Sequence, residues 1–397
     1  MLVRLEEARR LIDRGRFRPP RAVACSPEDA VGRLAVREIR AARDHPDREL
    51  AAMDGFAVRA PRDGRSRAYL LLDAPVPGAR KLRPLREGQA LRVGTGATLP
   101  LGANAVVRVE SARCRGSRID VPGPVRPGLD VLPKGESIRR GETLLKEGER
   151  VGPYHLSALL AEGVRSVPVY DVRVGVLPVG DEIRGPGGNA PGSVVDLIGP
   201  VVRRLFPFAS ARLLRPVGDD AARLRRAISR ELPRVEMFVT IGRASVGERD
   251  VVKSTLREMG ELLFEGVRVN VLKRGAVAVV DRTPVLVLPG QVVSAVTNVH
   301  EHGLHLLGRM VGRELRHRVR ARLSRAVLVN HRMDSTYLFR LHDGWAEPLP
   351  WGVARLSSLL HADAFGILGR GRDWKVGQEV ELQLLELSAD GARPSHG

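Results

Sequence analysis

The sequence predicts a multidomain protein of the α/β plus β class. Between residues 172 and 317, apolar runs of strand length alternate with segments of helical spacing, which is typical of a mainly parallel sheet with helices on both faces. Residues 46–141 and 318–397 instead consist of short β-type runs separated by Gly and Pro, which indicates small β domains. With 43 % hydrophobic and 28 % charged residues, the 397-residue chain can bury several cores.

The N-terminal segment is predicted to be helical. Apolar residues recur there at intervals of three and four, the period of an α-helix. The positions concerned are Leu5, Ala8, Leu11 and Ile12, followed by Val31, Leu34, Ala35 and Ile39, with Glu28 as the first position of the second pattern. A further helical segment, 154–162, returns after the β-type runs. Residues 1–45 and 142–171 are therefore expected to form one helical N-terminal domain, with the β domain of residues 46–141 inserted into it.

Residues 172–317 are predicted to form a three-layer α/β domain. Its predicted strands are Val172–Val179, Ala211–Pro216, Val235–Thr240, Val267–Leu272, Val277–Val280 and Val285–Leu288. Its predicted helices run from Ser193 or Val194 to Leu205, from Asp219 to Leu232, from Arg249 to Met259, and onward from near Gln291. The last segment, 318–397, is predicted to be a C-terminal β domain.

The chain is strongly basic, with 65 Lys and Arg against 46 Asp and Glu and a formal net charge of +19. Arginine accounts for 59 of these 65 residues and is spread along the whole chain, while aromatic residues make up only 4 %. With few aromatics to stack on bases and no zinc-finger spacing, nucleic acid is disfavoured as a partner and small anionic ligands are favoured. No apolar run reaches the ~18–20 residues of a membrane span, and the two cysteines cannot form a disulfide framework. A cytoplasmic protein that contacts no membrane is expected.

Four loops that follow predicted strands carry residues suited to a ligand. In an open α/β sheet, ligands bind outside the carboxyl ends of the strands, next to helix N-termini. The loops are Gly180–Glu182, Gly218–Asp220, Gly242–Asp250 and Leu288–Gln291. Their glycines allow the backbone to approach a ligand closely, and their carboxylates would suit a divalent metal beside a phosphate. Alternatively, acids such as Asp220 are ordinary helix N-caps, and the sequence leaves both interpretations open.

Six short motifs point to a known family. They are Ala51–Val58, Thr95–Glu110, Gly135–Glu142, Val179–Ile183, Ile241–Lys253 and Leu288–Ala295. In their order and spacing the chain resembles the molybdopterin molybdenumtransferases, the family of bacterial MoeA and the gephyrin E domain, over about residues 25–375. The resemblance implies that residues 172–317 form a molybdopterin-binding-like domain.

The resemblance also implies an activity, the insertion of molybdate or tungstate into adenylylated molybdopterin with release of AMP and a requirement for Mg²⁺. It implies a homodimer whose active site takes residues from both subunits, and it is compatible with a partner adenylyltransferase that supplies the substrate. Matched by motif, the catalytic residues would be Asp54, Thr95, Glu182 and Asp250, with Asp54 and Thr95 coming from the neighbouring subunit. The cofactor-binding residues would be Gly242, Arg243, Ser245, Gly247, Asp220, Lys273, Arg274, Pro289, Gly290, Arg340 and Ser357 or Ser358. The Mg²⁺ ligands would be Glu182, Asp220 and Asp250.

Several positions depart from the family pattern. They are Arg243 in place of a glycine, Asn270 and Gly266 in place of lysines, Asn104 and Ser137 in place of aspartates, and Val292 in place of a proline. Arg243 or Arg274 could restore the missing positive charge, because arginine binds oxyanions at least as well as lysine does. The resemblance leaves two functions open, a transferase with a variant pocket and a catalytically impaired paralogue that binds pterin or acts as a scaffold. A third, a basic nucleic-acid-associated protein, rests only on the net charge.

Overall fold

The computed structural model describes residues 2–63, 68–72, 84–184, 193–242, 250–329 and 332–385. The chain divides into two compact units. One comprises Met1–Arg37, Glu147–Gly152 and Ser166–Gly397, and the other comprises Glu38–Lys146 and Pro153–Arg165. The finer division into four domains, with boundaries near residues 46, 142, 172 and 318, stays a prediction.

Nine α-helices occur in the described ranges. They are α1 (Leu5–Arg14), α2 (Pro27–Ala30), α3 (Pro153–Glu162), α4 (Gly199–Arg204), α5 (Ala221–Glu231), α6 (Val251–Met259), α7 (Val292–Asn298), α8 (Leu304–Val311) and α9 (Leu356–Leu360). A π-helical segment, Val299–Gly303, joins α7 to α8. None of the helices in the described residues has the length and apolar character of a bilayer-spanning segment.

The larger unit is built on a six-stranded sheet. Its strands are β1 (Arg173–Pro178), β2 (Ser210–Leu213), β3 (Met237–Ile241), β4 (Glu261–Phe264), β5 (Ala276–Val280) and β6 (Thr283–Leu288). Their order across the sheet is β2-β1-β3-β6-β5-β4. The first four strands are mutually parallel, whereas β5 and β4 are antiparallel to their neighbours. The prediction of a mainly parallel α/β sheet is confirmed, with two antiparallel strands at one edge.

Both faces of this sheet are packed against other parts of the chain, as expected for parallel strands whose side chains are apolar on both sides. Along β3, Met237, Val239 and Ile241 belong to the core cluster on one face. Phe238 belongs to the cluster on the other face, which α5 and α6 complete with Leu224 and Leu256. The domain therefore has the three layers that the alternation of strands and helices predicted.

The C-terminal part of the larger unit forms a second six-stranded sheet. In order across the sheet, its strands are Val269–Asn270, Asp334–His342, Trp345–Pro348, Arg318–Leu323, Glu379–Leu384 and Ala364–Leu368. A small pair, Val327–Leu328 with Asp373–Trp374, lies beside it. The predicted C-terminal β character is confirmed.

The smaller unit contains the predicted inserted β structure. In order across the sheet, its strands are Ala105–Arg108, Gly55–Val58, Gln89–Val93, Ala68–Leu71, Arg118–Asp120 and Arg113–Arg115. Two short pairs accompany it, Leu50–Ala51 with Val131–Leu132 and Ile39–Arg40 with Thr143–Leu145. The α/β plus β class is thus confirmed in both units.

Three predicted elements were wrong. The helical pattern from Glu28 to Ile39 is a helix only up to Ala30, where α2 ends, and Gly32 follows with φ +89°, a left-handed conformation that interrupts a helix. The segment Arg21–Cys25 is a strand paired with Val167–Asp171, so the N-terminal region is only partly helical. The helix predicted to begin at Ser193 or Val194 begins at Gly199, because Asp196 accepts hydrogen bonds from the N–H groups of residues 198 and 199.

The third wrong element is the strand predicted over Val267–Leu272 in the α/β sheet. Only Val269–Asn270 is a strand, and it pairs with Asp334–His342 of the C-terminal sheet. The strand that pairs with β5 is instead β4, which the sequence did not predict. Short apolar runs fit either sheet, so the choice of partner depends on tertiary packing.

Candidate functional site

The carboxyl ends of the four parallel strands meet along one edge of the α/β sheet. The Val179 N–H donates to the Ile241 carbonyl at 2.8 Å, and the Gly242 N–H donates to the Leu288 carbonyl at 3.0 Å. Gly180 in turn donates to the segment after β2 at 2.9 Å. The main chain directly after β1 and after β3 is therefore hydrogen-bonded to the ends of neighbouring strands. This edge, called here the rim, is where the sequence predicted a ligand.

Gly242 occupies a position on the rim that no other residue fits. Its φ is +98°, and a Cβ built there would lie 2.5 Å from the carbonyl oxygen of Val179. A Cβ at Gly290 would lie 3.9 Å from the Cα of Gly242, so the loops after β3 and β6 are in direct contact. Gly242 is itself buried and Gly290 is exposed, so the main chain open to a ligand at this contact is that of Gly290.

Two of the predicted metal ligands cap helices. The Asp220 Oδ1 accepts the Arg223 N–H at 2.6 Å at the start of α5. The Asp250 Oδ1 accepts the Lys253 N–H at 3.0 Å at the start of α6, and its Oδ2 lies 3.2 Å from the Lys253 Nζ. The capping interpretation is therefore confirmed for both aspartates.

The third, Glu182, lies in the loop after β1. It is half-buried, and its carboxylate folds back over Gly180, where a Cβ would meet the Glu182 Oε2 at 2.9 Å. The neighbouring Asp181 links this loop to the next, because its Oδ1 accepts the Asp219 N–H at 3.3 Å. Carboxylates thus line the rim after β1 and β2.

A Mg²⁺ ion at the rim would depend on the carboxylates of Glu182, Asp220 and Asp250. Their oxygen donors are of the type that Mg²⁺ prefers. In the described part of the chain, however, no three His, Cys, Asp or Glu side chains are grouped so that they could hold a metal ion. The structure does not bring Glu182, Asp220 and Asp250 together, and both aspartates are engaged as N-caps.

Three predicted pterin-binding residues cannot be placed. Arg243, Ser245 and Gly247 lie in residues 243–249, outside the described ranges. Pro289 and Gly290 directly follow β6 on the rim, as predicted.

The loop containing Lys273 and Arg274 is anchored to the C-terminal sheet. It follows the Val269–Asn270 strand, which pairs with Asp334–His342. Lys273 is half-buried and Arg274 is exposed. Val271 in the same loop has φ +81°, a strained conformation for a β-branched residue, and its N–H donates to the Asn270 Oδ1 at 3.1 Å.

The predicted C-terminal contributors are accessible. Arg340 is exposed and lies 3.9 Å from the Glu347 carboxylate. Ser357 is exposed on α9, which contacts α7, the helix that begins at the rim. The alternative, Ser358, is buried and donates to the Pro350 carbonyl at 2.7 Å, so Ser357 is the serine available to a ligand.

In the smaller unit, Asp54 and Thr95 are brought together although 41 residues separate them. The Asp54 Oδ1 accepts the Thr95 N–H at 2.7 Å and the Thr95 hydroxyl at 2.8 Å. These two hydrogen bonds, the backbone one first, hold the pKa of Asp54 below its usual value. The next residue must be glycine, because a Cβ at Gly55 would lie 2.1 Å from the Val107 carbonyl oxygen. The result is an exposed, ionised and oriented carboxylate.

Comparison with known proteins identifies the family. A family described as "MoeA N-terminal region (domain I and II)" matches residues 3–163, and one described as "Probable molybdopterin binding domain" matches residues 175–309. A solved structure of a molybdopterin biosynthesis MoeA protein from Pyrococcus horikoshii superposes with a TM-score of 0.79 at 28 % identity, covering 97 % of this chain and 100 % of the other. The chain belongs to the MoeA family.

Curated relatives agree with this assignment. A putative molybdopterin biosynthesis protein of Methanocaldococcus jannaschii is 27 % identical over 377 residues, which cover 90 % of this chain and 91 % of the relative. A molybdopterin molybdenumtransferase of Synechococcus elongatus is 28 % identical over 379 residues, covering 89 % and 92 %. The resemblance inferred from the six motifs is therefore confirmed.

Two departures from the MoeA pattern have a structural explanation. A Cβ at Gly266, whose φ is +125°, would lie 2.2 Å from the Lys273 carbonyl oxygen, so no lysine fits there in this backbone. Asn104 accepts the Ala60 N–H at 2.6 Å and donates to the Ala60 carbonyl at 3.3 Å, and an ionised aspartate could not make the second bond because it has no donor. Val292 is buried at the start of α7, and Ser137 is exposed.

One polar residue of this MoeA rim was missed by the sequence analysis. Lys253 is 4 % exposed and contacts Asp250, but it was treated only as the end of a motif. The available signal was its spacing, since a residue three positions after a helix N-cap lies beside the capping side chain.

Proposed function

We propose that this MoeA protein is a molybdenumtransferase that inserts molybdate or tungstate into adenylylated molybdopterin and releases AMP. The observation that carries the proposal is the rim, where Gly242 and the exposed Gly290 bring the main chains after β3 and β6 close together at the carboxyl ends of the parallel strands. Such an edge suits a phosphate-bearing ligand. Family membership supports the same conclusion, because relatives along most of the chain are named molybdopterin molybdenumtransferases.

The proposed roles follow from the chemistry of each side chain. The exposed Gly290 would let the main chain after β6 approach the pterin phosphate. Lys273 and Arg274 would supply positive charge to molybdate or phosphate oxygens, and the exposed Arg340 and Ser357 would add donors from the C-terminal sheet and α9. Cleavage of the phosphoanhydride by water would release AMP.

Asp54 and Thr95 are proposed to complete the site from the neighbouring subunit of a homodimer. The Thr95 hydrogen bonds keep the Asp54 carboxylate ionised and fixed, as a group that orients a cation or a water molecule must be. Light scattering should show a dimer. Mixed dimers of Asp54→Ala and Gly242→Val chains should recover about a quarter of wild-type activity, because half of the molecules would contain one intact composite site.

We propose that Mg²⁺ enters with the substrate. The described carboxylates form no three-ligand site, so the ion would arrive on the phosphoanhydride oxygens. Calorimetry with Mg²⁺ and the protein alone should then show no tight binding.

We also propose a cytoplasmic location for the protein. Cys25 and Cys114 are both free, as is usual in a reducing compartment. An adenylyltransferase is proposed as the source of the substrate.

The proposed reaction is tested by measuring AMP release from adenylylated molybdopterin with molybdate or tungstate. We expect release by the wild-type chain and its loss in Asp54→Ala. The matched control is Asp47→Ala, which removes an exposed carboxylate of the same unit that pairs only with its neighbour Arg48 among the contacts described for it. Pterin binding without AMP release for either oxyanion would contradict the proposal and favour the impaired paralogue.

A further inference from the structure

A buried ion pair lies at the start of α6. The Lys253 Nζ is 3.2 Å from the Asp250 Oδ2, and both side chains are only 4 % exposed. The Asp250 Oδ1 also accepts the Lys253 N–H at 3.0 Å, so the two residues are joined twice. The pair follows β3 along the chain, at the end of the loop that begins with Gly242 on the rim.

Stability alone does not require an ion pair at this position. Lys253 is the third residue of α6, where the positive end of the helix dipole repels a cation. Burial of its ammonium group adds a desolvation cost, and buried ion pairs are often no more stabilising than apolar residues of similar size. Val252 and Leu256, on either side of Lys253 in α6, show that the environment accepts apolar side chains.

The presence of Lys253 is explained instead by the need to compensate the negative charge of Asp250. Asp250 is the one rim acid that is largely buried, whereas Asp220 is exposed and Glu182 is half-buried, among the three predicted ligands. Without a cation beside it, its carboxylate would repel any phosphate that reached the rim.

We infer that Lys253 is a positioning residue that neutralises and orients the Asp250 carboxylate, so that a phosphate-bearing ligand can approach the start of α6. The inference rests on the proposed function, because it takes the ligand of the rim to be an anion. It assigns to Lys253 an effect on ligand affinity through Asp250, separate from any effect on folding.

The test is the affinity of the full-length chain for AMP and for adenylylated molybdopterin, measured by calorimetry. Lys253→Met should weaken both by at least about tenfold, because it leaves one uncompensated charge near the ligand. The double variant Asp250→Asn/Lys253→Met removes both charges and should bind within about threefold of wild type. A purely structural ion pair would show the same restoration in stability, so the affinities are compared at a temperature at which every variant is fully folded.

The matched control is Arg257→Met, which removes one positive charge from the same helix at an exposed residue paired with Glu265. It should bind both ligands within about twofold of wild type, and circular dichroism should show every variant to be folded at the assay temperature. Unchanged affinity in Lys253→Met, or equal weakening in the single and double variants, overturns the inference alone. A wild-type chain that binds neither ligand overturns the proposed function and the inference together.

Discussion

Two buried histidines should make the larger unit sensitive to acid. His300 and His302 lie in the π-helical segment between α7 and α8, and both are fully buried. Within the described residues, neither nitrogen of either ring has a hydrogen-bond partner. The rings instead pack edge-on against Phe365 and Phe264. Burial therefore disfavours the charged form and lowers the pKa of each histidine from 6.5 to about 4.

The magnitude follows from proton linkage. Above pH 6.5 these histidines are neutral in both folded and unfolded chains and have no effect on the pH dependence. As the pH falls from 6.5 toward 4, the unfolded chain binds their protons and the folded chain does not, so the free energy of unfolding decreases. At pH 4.5 the loss is on the order of 2–3 kcal/mol for each histidine and about 5 kcal/mol for both.

The assay is urea denaturation at pH 7.5 and pH 4.5, followed by tryptophan fluorescence. All three tryptophans lie in the larger unit, so the signal reports on the unit that contains the histidines. The double variant His300→Leu/His302→Leu should lose about 5 kcal/mol less than wild type between the two pH values. His342→Leu, at an exposed position of the same unit, should behave like wild type. Equal losses in wild type and the double variant, within about 1 kcal/mol, would refute the reasoning.

Two further predictions concern the candidate site. Gly242→Ala should destabilise β3 by roughly 2–4 kcal/mol, since it adds a left-handed alanine and a clash with a neighbouring carbonyl, whereas Gly290→Ala should cost under about 1 kcal/mol. Hydrogen exchange of the β3 amides measures both, and equal protection in the two variants would contradict the prediction. Thr95→Val removes one of the two hydrogen bonds that lower the pKa of Asp54, so that pKa should rise toward its usual value in a carboxyl NMR titration. Thr98→Val, an exposed threonine of the same loop, should leave it unchanged.

The sequence alone predicted the features that depend on local pattern. The apolar run 235–240 predicted a buried strand, and β3 lies at 237–241 with side chains in both core layers. Alternating strands and helices predicted that four loops would share one edge, because parallel strands place their carboxyl ends together. Motif order and spacing predicted the family, and two of the motifs contain a glycine that the backbone requires, Gly55 and Gly242.

Only the tertiary structure decided the features that depend on residues distant in sequence or on competing local roles. The run 267–272 fits either sheet, and packing assigned its central residues to the C-terminal one. Asp220 and Asp250 are residues of a type that binds metal ions, but each accepts a backbone N–H at the start of a helix and so acts as its N-cap. The burial of Lys253 depends on the packing of α6 against the sheet. Residue type and sequence spacing limit the interactions that a side chain can make. Its neighbours in the folded chain determine which of those interactions lowers the free energy of the folded state most.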